Sequence, residues 1–76
     1  MVTAYITIST ELGSEDEIKE AIEKLEGVRE CSVVYGVYDL VAVVDADTTE
    51  ELNDMVFNKI RKFNDVKSTL TLIVVE

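Results

Sequence analysis

The chain has no histidine, no proline and no tryptophan, and only one cysteine and three glycines in 76 residues. Without histidine it lacks the usual general base near neutral pH, which excludes histidine-containing catalytic triads and metal sites. A single cysteine, Cys31, excludes an internal disulfide and a Cys-x-x-Cys metal loop. Its apolar surroundings favour a small buried side chain in a reducing compartment. We therefore expect no catalytic residues, no metal and no cofactor.

Basic residues are also scarce, since seven lysines and arginines face 16 acidic residues and the net charge is −9. This charge repels a phosphate backbone, so we expect no direct binding to nucleic acid. The sequence shows no basic leader and no apolar run of membrane-spanning length, so we expect a cytoplasmic protein without membrane contact. An apolar content of 47% argues against disorder. We expect one small domain over residues 1–76.

Hydrophobic periodicity predicts a strand, a helix and a second strand in the first half. Alternation over residues 1–9 indicates the first strand. Ser14 and Glu17 have the spacing of a capping box, and Gly27 is placed to end the helix in the left-handed conformation. The helix carries four apolar residues at helical spacing: Ile18, Ala21, Ile22 and Leu25. A β-branched run over residues 28–35 predicts the second strand.

The second half repeats this pattern. Residues 38–44 are nearly all apolar, which is typical of a central strand covered on both faces. Thr48 and Glu51 again have capping-box spacing, and residues 66–75 predict the last strand. The helix between them carries an apolar stripe: Leu52, Met55, Val56, Ile60 and Phe63.

The order βαββαβ, with matching segments Gly27-Val28-Arg29 and Asp65-Val66-Lys67, predicts an α+β ferredoxin-like plait. In that fold a four-stranded antiparallel sheet carries both helices on one face. Strict alternation assigns a second set of residues to the other face: Thr3, Tyr5, Thr7, Cys31, Val33, Tyr35, Val41, Val43, Thr69, Thr71, Ile73 and Val75. Because this face is apolar, we expect dimerisation through it, the alternative being a monomer with scattered surface valines.

A turn signal, Tyr35-Gly36-Val37-Tyr38-Asp39-Leu40, separates two β-branched runs. Gly36 permits a positive φ in a tight reversal and leaves bare main chain open to a ligand, and Asp39 places a carboxylate beside it. The same two residues also suit a turn without a ligand, with Gly36 shaping the reversal and Asp39 solvating its end.

Several segments resemble the effector domain of the Lrp/AsnC family of feast/famine regulators. They run along the whole chain: Gly27-Val28, Tyr35-Gly36-x-Tyr38-Asp39-Leu40-Val41-Ala42, Ile60-Arg61 and Val66-x-x-Thr69-x-Thr71-Leu72-Ile73-Val74-Val75-Glu76. In that family the domain is called RAM, for regulation of amino acid metabolism, and it normally follows an N-terminal helix-turn-helix. We expect the stand-alone RAM type, which lacks the helix-turn-helix.

The resemblance implies sheet-to-sheet dimers that associate into a homo-oligomer, an octamer or a decamer. It also implies that a free amino acid effector binds between neighbouring dimers. By position, one subunit contributes Tyr35, Gly36, Val37, Tyr38 and Asp39, and another contributes Ser68, Thr69, Leu70 and Thr71. Such a module would modulate the assembly of itself or of full-length Lrp/AsnC transcriptional regulators, which we expect as further partners.

Other functions share the same predicted fold. An RNA-recognition module would stack bases on Tyr5, Tyr35 or Tyr38, but the acidity argues against it. A small ferredoxin-like oxygenase or isomerase would need an acid–base group, for which Asp39 and the tyrosines are the candidates. A ligand-free assembly module would use the same hairpin as an interface, and it stays open beside the amino-acid sensor.

Overall fold

The chain folds in the predicted order. A computed structural model, which describes residues 1–75, contains four strands and two helices: β1 (Val2–Thr10), α1 (Glu15–Glu23), β2 (Val28–Val33), β3 (Leu40–Ala46), α2 (Thr49–Met55), which continues into a π-helical turn (Val56–Ile60), and β4 (Val66–Ile73). Glu76, the last residue of the segments that carry the resemblance, lies outside the described residues. The strands form one antiparallel sheet in the order β2-β3-β1-β4.

The hydrophobic core lies between one face of this sheet and the two helices. The central strands β1 and β3 contribute six fully buried side chains: Ala4, Ile6, Ile8, Leu40, Ala42 and Val44. The helical segments contribute five further buried residues, of which Ile22, Leu52 and Ile60 are fully buried: Ile18, Ile22, Leu52, Val56 and Ile60. Leu25, Met55 and Phe63 pack against this core as partly buried side chains. Both predicted apolar stripes therefore face the sheet, and β3 is a central strand as expected.

The two helices begin differently. The hydroxyl of Thr48 accepts a hydrogen bond from the backbone N–H of Glu51 at 3.1 Å, as its spacing predicts. Ser14 also occupies the N-cap position, but its backbone is helical (φ −99°, ψ −1°) and its side chain makes no capping bond. An N-cap side chain reaches the first free N–H groups from an extended backbone, so the predicted Ser14 capping box is wrong.

The end of α2 widens into a π-helical turn, in which the backbone N–H of Arg61 donates to the carbonyl of Val56 at 2.9 Å. The predicted stripe does not anticipate this turn. Val56 and Ile60 remain buried on either side of it, while Phe57 projects outward with 65% of its side chain exposed.

Each strand that follows a helix contains one extra residue near its start. In β2, Arg29 has no partner on β3, because Val28 pairs with Val44 and Glu30 pairs with Val43. In β4, Lys67 is the corresponding residue, since Val66 pairs with Thr10 and Ser68 pairs with Ser9 (the two partners sit at the end of β1). These are β-bulges at equivalent places in the two halves.

The bulges reverse the faces predicted for both edge strands, because one extra residue moves every later side chain to the opposite face. Cys31 pairs with Ala42 and is 3% exposed within the core, and Val33 pairs with Leu40 on the same side. In β4 the helix-side residues are Thr69, Thr71 and Ile73. Placing these five residues on the open face is therefore wrong, and Tyr35 and Val75 lie beyond the ends of their strands.

The open face of the sheet nevertheless carries an apolar patch. Its members, called the open-face patch below, are Tyr5, Val41, Val43, Leu70, Leu72 and Val74. Four of them, Tyr5, Leu70, Leu72 and Val74, are 40–50% exposed. No helix in residues 1–75 covers this side of the sheet. The patch thus keeps the apolar character predicted for this face, with leucines of β4 in place of its threonines.

An ion pair borders the open-face patch at the bulge of β2. The guanidinium of Arg29 lies 2.8 Å from the carboxylate of Asp45, which also accepts a 2.6 Å hydrogen bond from the hydroxyl of Thr3. The hydrogen bond from Thr3, followed by that from Arg29, lowers the pKa of Asp45. The bulged residue thereby fixes the edge strand to β3 on the open side.

The two halves also match in their backbone contacts. The carbonyl of Gly27 accepts from the N–H of Asp45 at 2.8 Å, and the carbonyl of Asp65 accepts from the N–H of Glu11 at 2.8 Å. The predicted positive φ of Gly27 is confirmed at +94°, but the helix itself ends earlier, at Glu23 with Lys24 as its C-cap, so Gly27 does not end it. A Cβ at position 27 would lie 2.9 Å from the Asp45 carbonyl oxygen. Glycine at position 27 is therefore required by both conformation and space.

Candidate functional site

The connection between β2 and β3 is a wider loop than the predicted tight reversal and covers residues 34–39. The backbone N–H of Val34 closes it by donating to the carbonyl of Asp39 at 2.9 Å. Gly36 has φ +142°, so the predicted positive φ is confirmed. Tyr35 and Val37 at the tip are almost fully exposed, with no intramolecular surface to cover them.

Asp39 is held against the end of β1 at two points. Its backbone N–H donates to the carbonyl of Ile8 at 3.0 Å, and its side-chain Oδ2 accepts from the backbone N–H of Thr10 at 2.8 Å. The side chain is half-buried. A hydrogen bond between an N–H group and an ionised carboxylate is stronger than one between neutral groups, so the carboxylate position is well defined.

A groove of about 590 Å³ runs beside this loop, and its size lies in the range typical of small-molecule sites. The lining residues of this groove, called the hairpin groove, are Leu12, Gly13, Glu15, Asp16, Val33, Val34, Tyr35 and Asp39. All three charged residues in that lining are acidic. The hairpin groove therefore favours a cationic group such as an ammonium.

The four predicted site residues of β4 do not share one face. Thr69 and Thr71 point to the helix side, whereas Ser68 and Leu70 point to the open side with Ser9 and Thr7. The threonines are half-buried and line a second groove, of about 570 Å³, between β4 and α2. This helix groove is lined by Asn53, Asp54, Val56, Phe57, Arg61, Thr69 and Thr71.

One chain does not bring the two predicted halves together. Asp39 directly precedes β3 and is bonded to β1, whereas the threonines belong to β4 on the other side of β1. Two strand spacings, from β3 across β1 to β4, amount to about 10 Å. This separation exceeds the distance between the ammonium and carboxylate of one amino acid, so contact with both halves requires a second chain.

Several residues that line these grooves were not predicted from the sequence. Leu12 is 97% exposed beside the loop, and Phe57 and Arg61 form a cation–π contact with the guanidinium carbon 5.7 Å from the ring centroid. Phe57 lies outside the apolar stripe of its helix, and an aromatic residue at a solvent-facing position was the available signal. The backbone N–H of Thr10 was not predictable because it reaches Asp39 only through the sheet register.

Other chemistry finds little support among residues 1–75. In that part of the chain no three histidine, cysteine, aspartate or glutamate residues lie together as metal ligands would. Burial raises the pKa of the Cys31 thiol to about 11, which keeps it protonated and unreactive near neutral pH. None of the described helices combines the length and apolar character needed to span a membrane.

Comparison with known proteins relates this chain to one family and to a group of longer regulators. A family model described as the Lrp/AsnC ligand binding domain matches residues 3–76. The transcriptional regulator PH1916 of Pyrococcus horikoshii, described as an uncharacterized HTH-type protein, is 34% identical over 74 residues, which make up 93% of this chain and 49% of the regulator. The chain thus spans about half the length of the regulators it matches.

A different kind of protein also contains a similar segment. The homocitrate synthase of Sulfolobus acidocaldarius is 37% identical over 59 residues, which cover 78% of this chain and 12% of the enzyme. The similarity therefore concerns a small part of that protein.

Solved structures agree with the sequence comparison. The structure described as FFRP-DM1 has a TM-score of 0.94 and 40% identity, covering 99% of this chain and 100% of that one. Escherichia coli AsnC has a TM-score of 0.92 and 26% identity, covering 99% of this chain and 51% of its own. The arrangement of strands and helices described above is thus shared with both.

Proposed function

The chain belongs to the Lrp/AsnC ligand-binding domain family, and we propose that it is an amino-acid sensor whose effector binds between neighbouring subunits of a homo-oligomer. The observation that carries this proposal is the position of the Asp39 carboxylate. It is fixed by Thr10 beside an exposed loop and lines the acidic hairpin groove.

The chemistry of the loop suits one half of an amino acid. Asp39 and the acidic groove attract the α-ammonium, and the main chain around Gly36 is open to solvent, since no atom lies within 4 Å of a Cβ built there. Backbone N–H groups at such a loop are suitable donors to the α-carboxylate. Tyr35, Val37 and Tyr38 complete this half of the proposed site.

The β4 edge of a neighbouring subunit provides the other half. Thr69 and Thr71 present hydroxyl groups to the helix groove, while Ser68 and Leu70 lie on the opposite face of the same strand. We assign the ligand contacts to the threonines and propose that Ser68 and Leu70 support the subunit contact around them.

Assembly provides the second subunit. The open-face patch is the surface through which we propose that two chains pair, because a two-fold contact would remove its half-exposed leucines from water. Further association of dimers, into an octamer or a decamer, would place the β2 edge of one chain beside the β4 edge of another.

The proposed role is regulatory and non-enzymatic. The longer relatives are described as HTH-type transcriptional regulators, whereas the net charge of −9 makes direct DNA binding by these 76 residues unfavourable. The effector domains of such full-length regulators are proposed partners through the open-face patch. We propose a cytoplasmic location, in keeping with a regulatory role beside such transcriptional regulators.

A thermal-shift screen of the twenty amino acids, followed by calorimetric titration of the best ligand, tests the sensor function. A ligand that binds the native state raises the midpoint of unfolding. Asp39→Asn keeps an oxygen for the Thr10 N–H and removes the charge, so we expect weaker binding at nearly unchanged stability. If no amino acid binds at millimolar concentration, a ligand-free assembly module replaces the sensor.

A further inference from the structure

The helix groove contains a cation, Arg61, that forms no ion pair within residues 1–75 of this strongly acidic protein. Within residues 1–75 the ion pairs are Lys19–Glu23 and Arg29–Asp45, and neither involves Arg61. The guanidinium of Arg61 instead lies over the ring of Phe57, 5.7 Å from its centroid, and both residues line the groove. A planar guanidinium in this setting is well suited to receive a carboxylate.

The π-helical turn is responsible for presenting Phe57. The turn widens the backbone between Val56 and Arg61, and its flanking residues Val56 and Ile60 stay in the core. Phe57 is left 65% exposed, as an apolar wall of the groove. Single π-helical turns within helices occur frequently at functional sites, because the wider turn redirects side chains that a regular helix would place elsewhere.

The facing wall is half polar. Thr69 and Thr71 of β4 pair with Ile8 and Ile6 of β1, and both isoleucines are fully buried beside them on the same face of the sheet. The groove thus combines an aromatic ring, an arginine and two hydroxyl groups. Its remaining charged residue is Asp54, which lies on the same helix as Phe57.

From this arrangement we propose that the effector is an amino acid with an uncharged, apolar side chain, whose side chain packs on Phe57 and whose carboxylate binds Arg61 in addition to the loop N–H groups of the neighbouring subunit. The inference rests on the proposed function, since the ammonium is assigned to Asp39 of the neighbouring subunit. Because Asp54 and Arg61 line the same groove, a charged side chain of either sign meets one attraction and one repulsion. A charged or amide side chain would also lose hydration against the Phe57 ring, whereas an apolar side chain gains from that contact, so an apolar side chain is favoured.

The proposal is tested by calorimetric titration of the full chain with L-leucine, L-methionine and L-phenylalanine, and with L-asparagine, L-glutamate and L-lysine for comparison. L-alanine reports binding without a large side chain. Isoamylamine, which is leucine without its carboxylate, reports the contribution of that group. We expect the first three amino acids to bind and the comparison set to bind at least about tenfold more weakly.

Three variants assign the contacts. Phe57→Ser removes the apolar wall from an exposed position, so we expect leucine affinity to fall about tenfold and alanine affinity to change little. Arg61→Met removes the guanidinium, and the preference for leucine over isoamylamine should then shrink by a similar factor. Lys62→Met is the matched control, because it removes one positive charge next to Arg61 without altering the groove lining.

The outcomes separate this inference from the proposed function. Binding of charged or amide amino acids alone, or apolar binding that neither Phe57→Ser nor Arg61→Met weakens, overturns the assignment of the helix groove and leaves the sensor intact. Equal losses in Arg61→Met and Lys62→Met also overturn it, because net charge would then explain the effect. Failure of every amino acid to bind the wild type overturns both proposals.

Discussion

Thr10 and Asp39 are joined by a 2.8 Å hydrogen bond from the backbone N–H of Thr10 to Oδ2 of Asp39. The bond forms where β1 meets the register shift of β4, opposite the bulged residue Lys67. It gives Asp39 a structural task in addition to the proposed contact with an ammonium. Substitutions at position 39 therefore have to distinguish the loss of an acceptor from the loss of a charge.

Asp39→Ala is expected to destabilise the fold by about 1–3 kcal/mol, because the partly buried N–H of Thr10 loses its acceptor. Asp39→Asn retains a carbonyl oxygen and should cost less than about 1 kcal/mol. Both should weaken binding of the amino acid by about 1.5–3 kcal/mol if the charge holds the ammonium. Urea unfolding and calorimetric titration measure the two effects. Wild-type affinity in Asp39→Asn would remove Asp39 from the site.

Leu72→Glu should convert the assembled protein into monomers, because a carboxylate would be buried in the contact between two sheets. Leu72 is 50% exposed in the single chain, so the substitution spares the fold itself, whereas Val43 is only 6% exposed and is a less selective position. Light scattering coupled to size exclusion gives the mass. Leu12→Glu is the matched control, since it adds the same charge at a position outside the open-face patch, and we expect its dimer to stay intact. An unchanged mass for Leu72→Glu would show that another surface makes the dimer.

Two glycines with similar φ values should respond unequally to alanine. At Gly13, φ is +90° and a Cβ would have no neighbour within 4 Å, so Gly13→Ala is expected to cost about 1–2 kcal/mol from backbone strain alone. At Gly27 the same strain is joined by a 2.9 Å contact with the carbonyl oxygen of Asp45, and we expect a loss of about 3 kcal/mol or more. Denaturant unfolding compares them. Equal losses would contradict the steric role of the Gly27–Asp45 contact.

Cys31 makes stability depend on alkaline pH. Burial raises its thiol pKa from 9.0 to about 11, so the unfolded chain loses this proton at a lower pH than the folded chain. The unfolded state then binds fewer protons, and the free energy of unfolding falls as pH rises above the unfolded value. We expect about 1 kcal/mol of loss at pH 10. Cys31→Ala should lack this component, and the difference between the two urea curves isolates it from tyrosine and lysine titration.

The order of elements followed from the sequence because each signal was local. Thr48 caps its helix, Gly27 has the predicted positive φ after the first helix, and the apolar stripes face the sheet. Ser14 shows the limit of such local signals. Its spacing to Glu17 fits a capping box, but its backbone is helical, its N–H donates to the Glu11 carbonyl in the preceding turn, and its side chain makes no capping bond.

The faces of the edge strands could not be predicted in the same way. Arg29 and Lys67 are ordinary strand residues in composition, and their lack of a partner appears only when the neighbouring strand is present. The same holds for the helix groove, since Thr69 and Phe57 come together only through β4 and the π-helical turn. Sequence thus located both halves of the proposed site but misplaced the direction in which its threonines point.

The separation of those halves on one chain makes ligand binding and subunit association thermodynamically linked. A ligand that touches both halves must bind at a junction of two chains. Its apparent affinity therefore depends on the concentration of the protein. Dilution then favours release of the ligand, and an excess of ligand favours association by the same free energy. The oligomeric state of the protein would in this way change with the concentration of the effector.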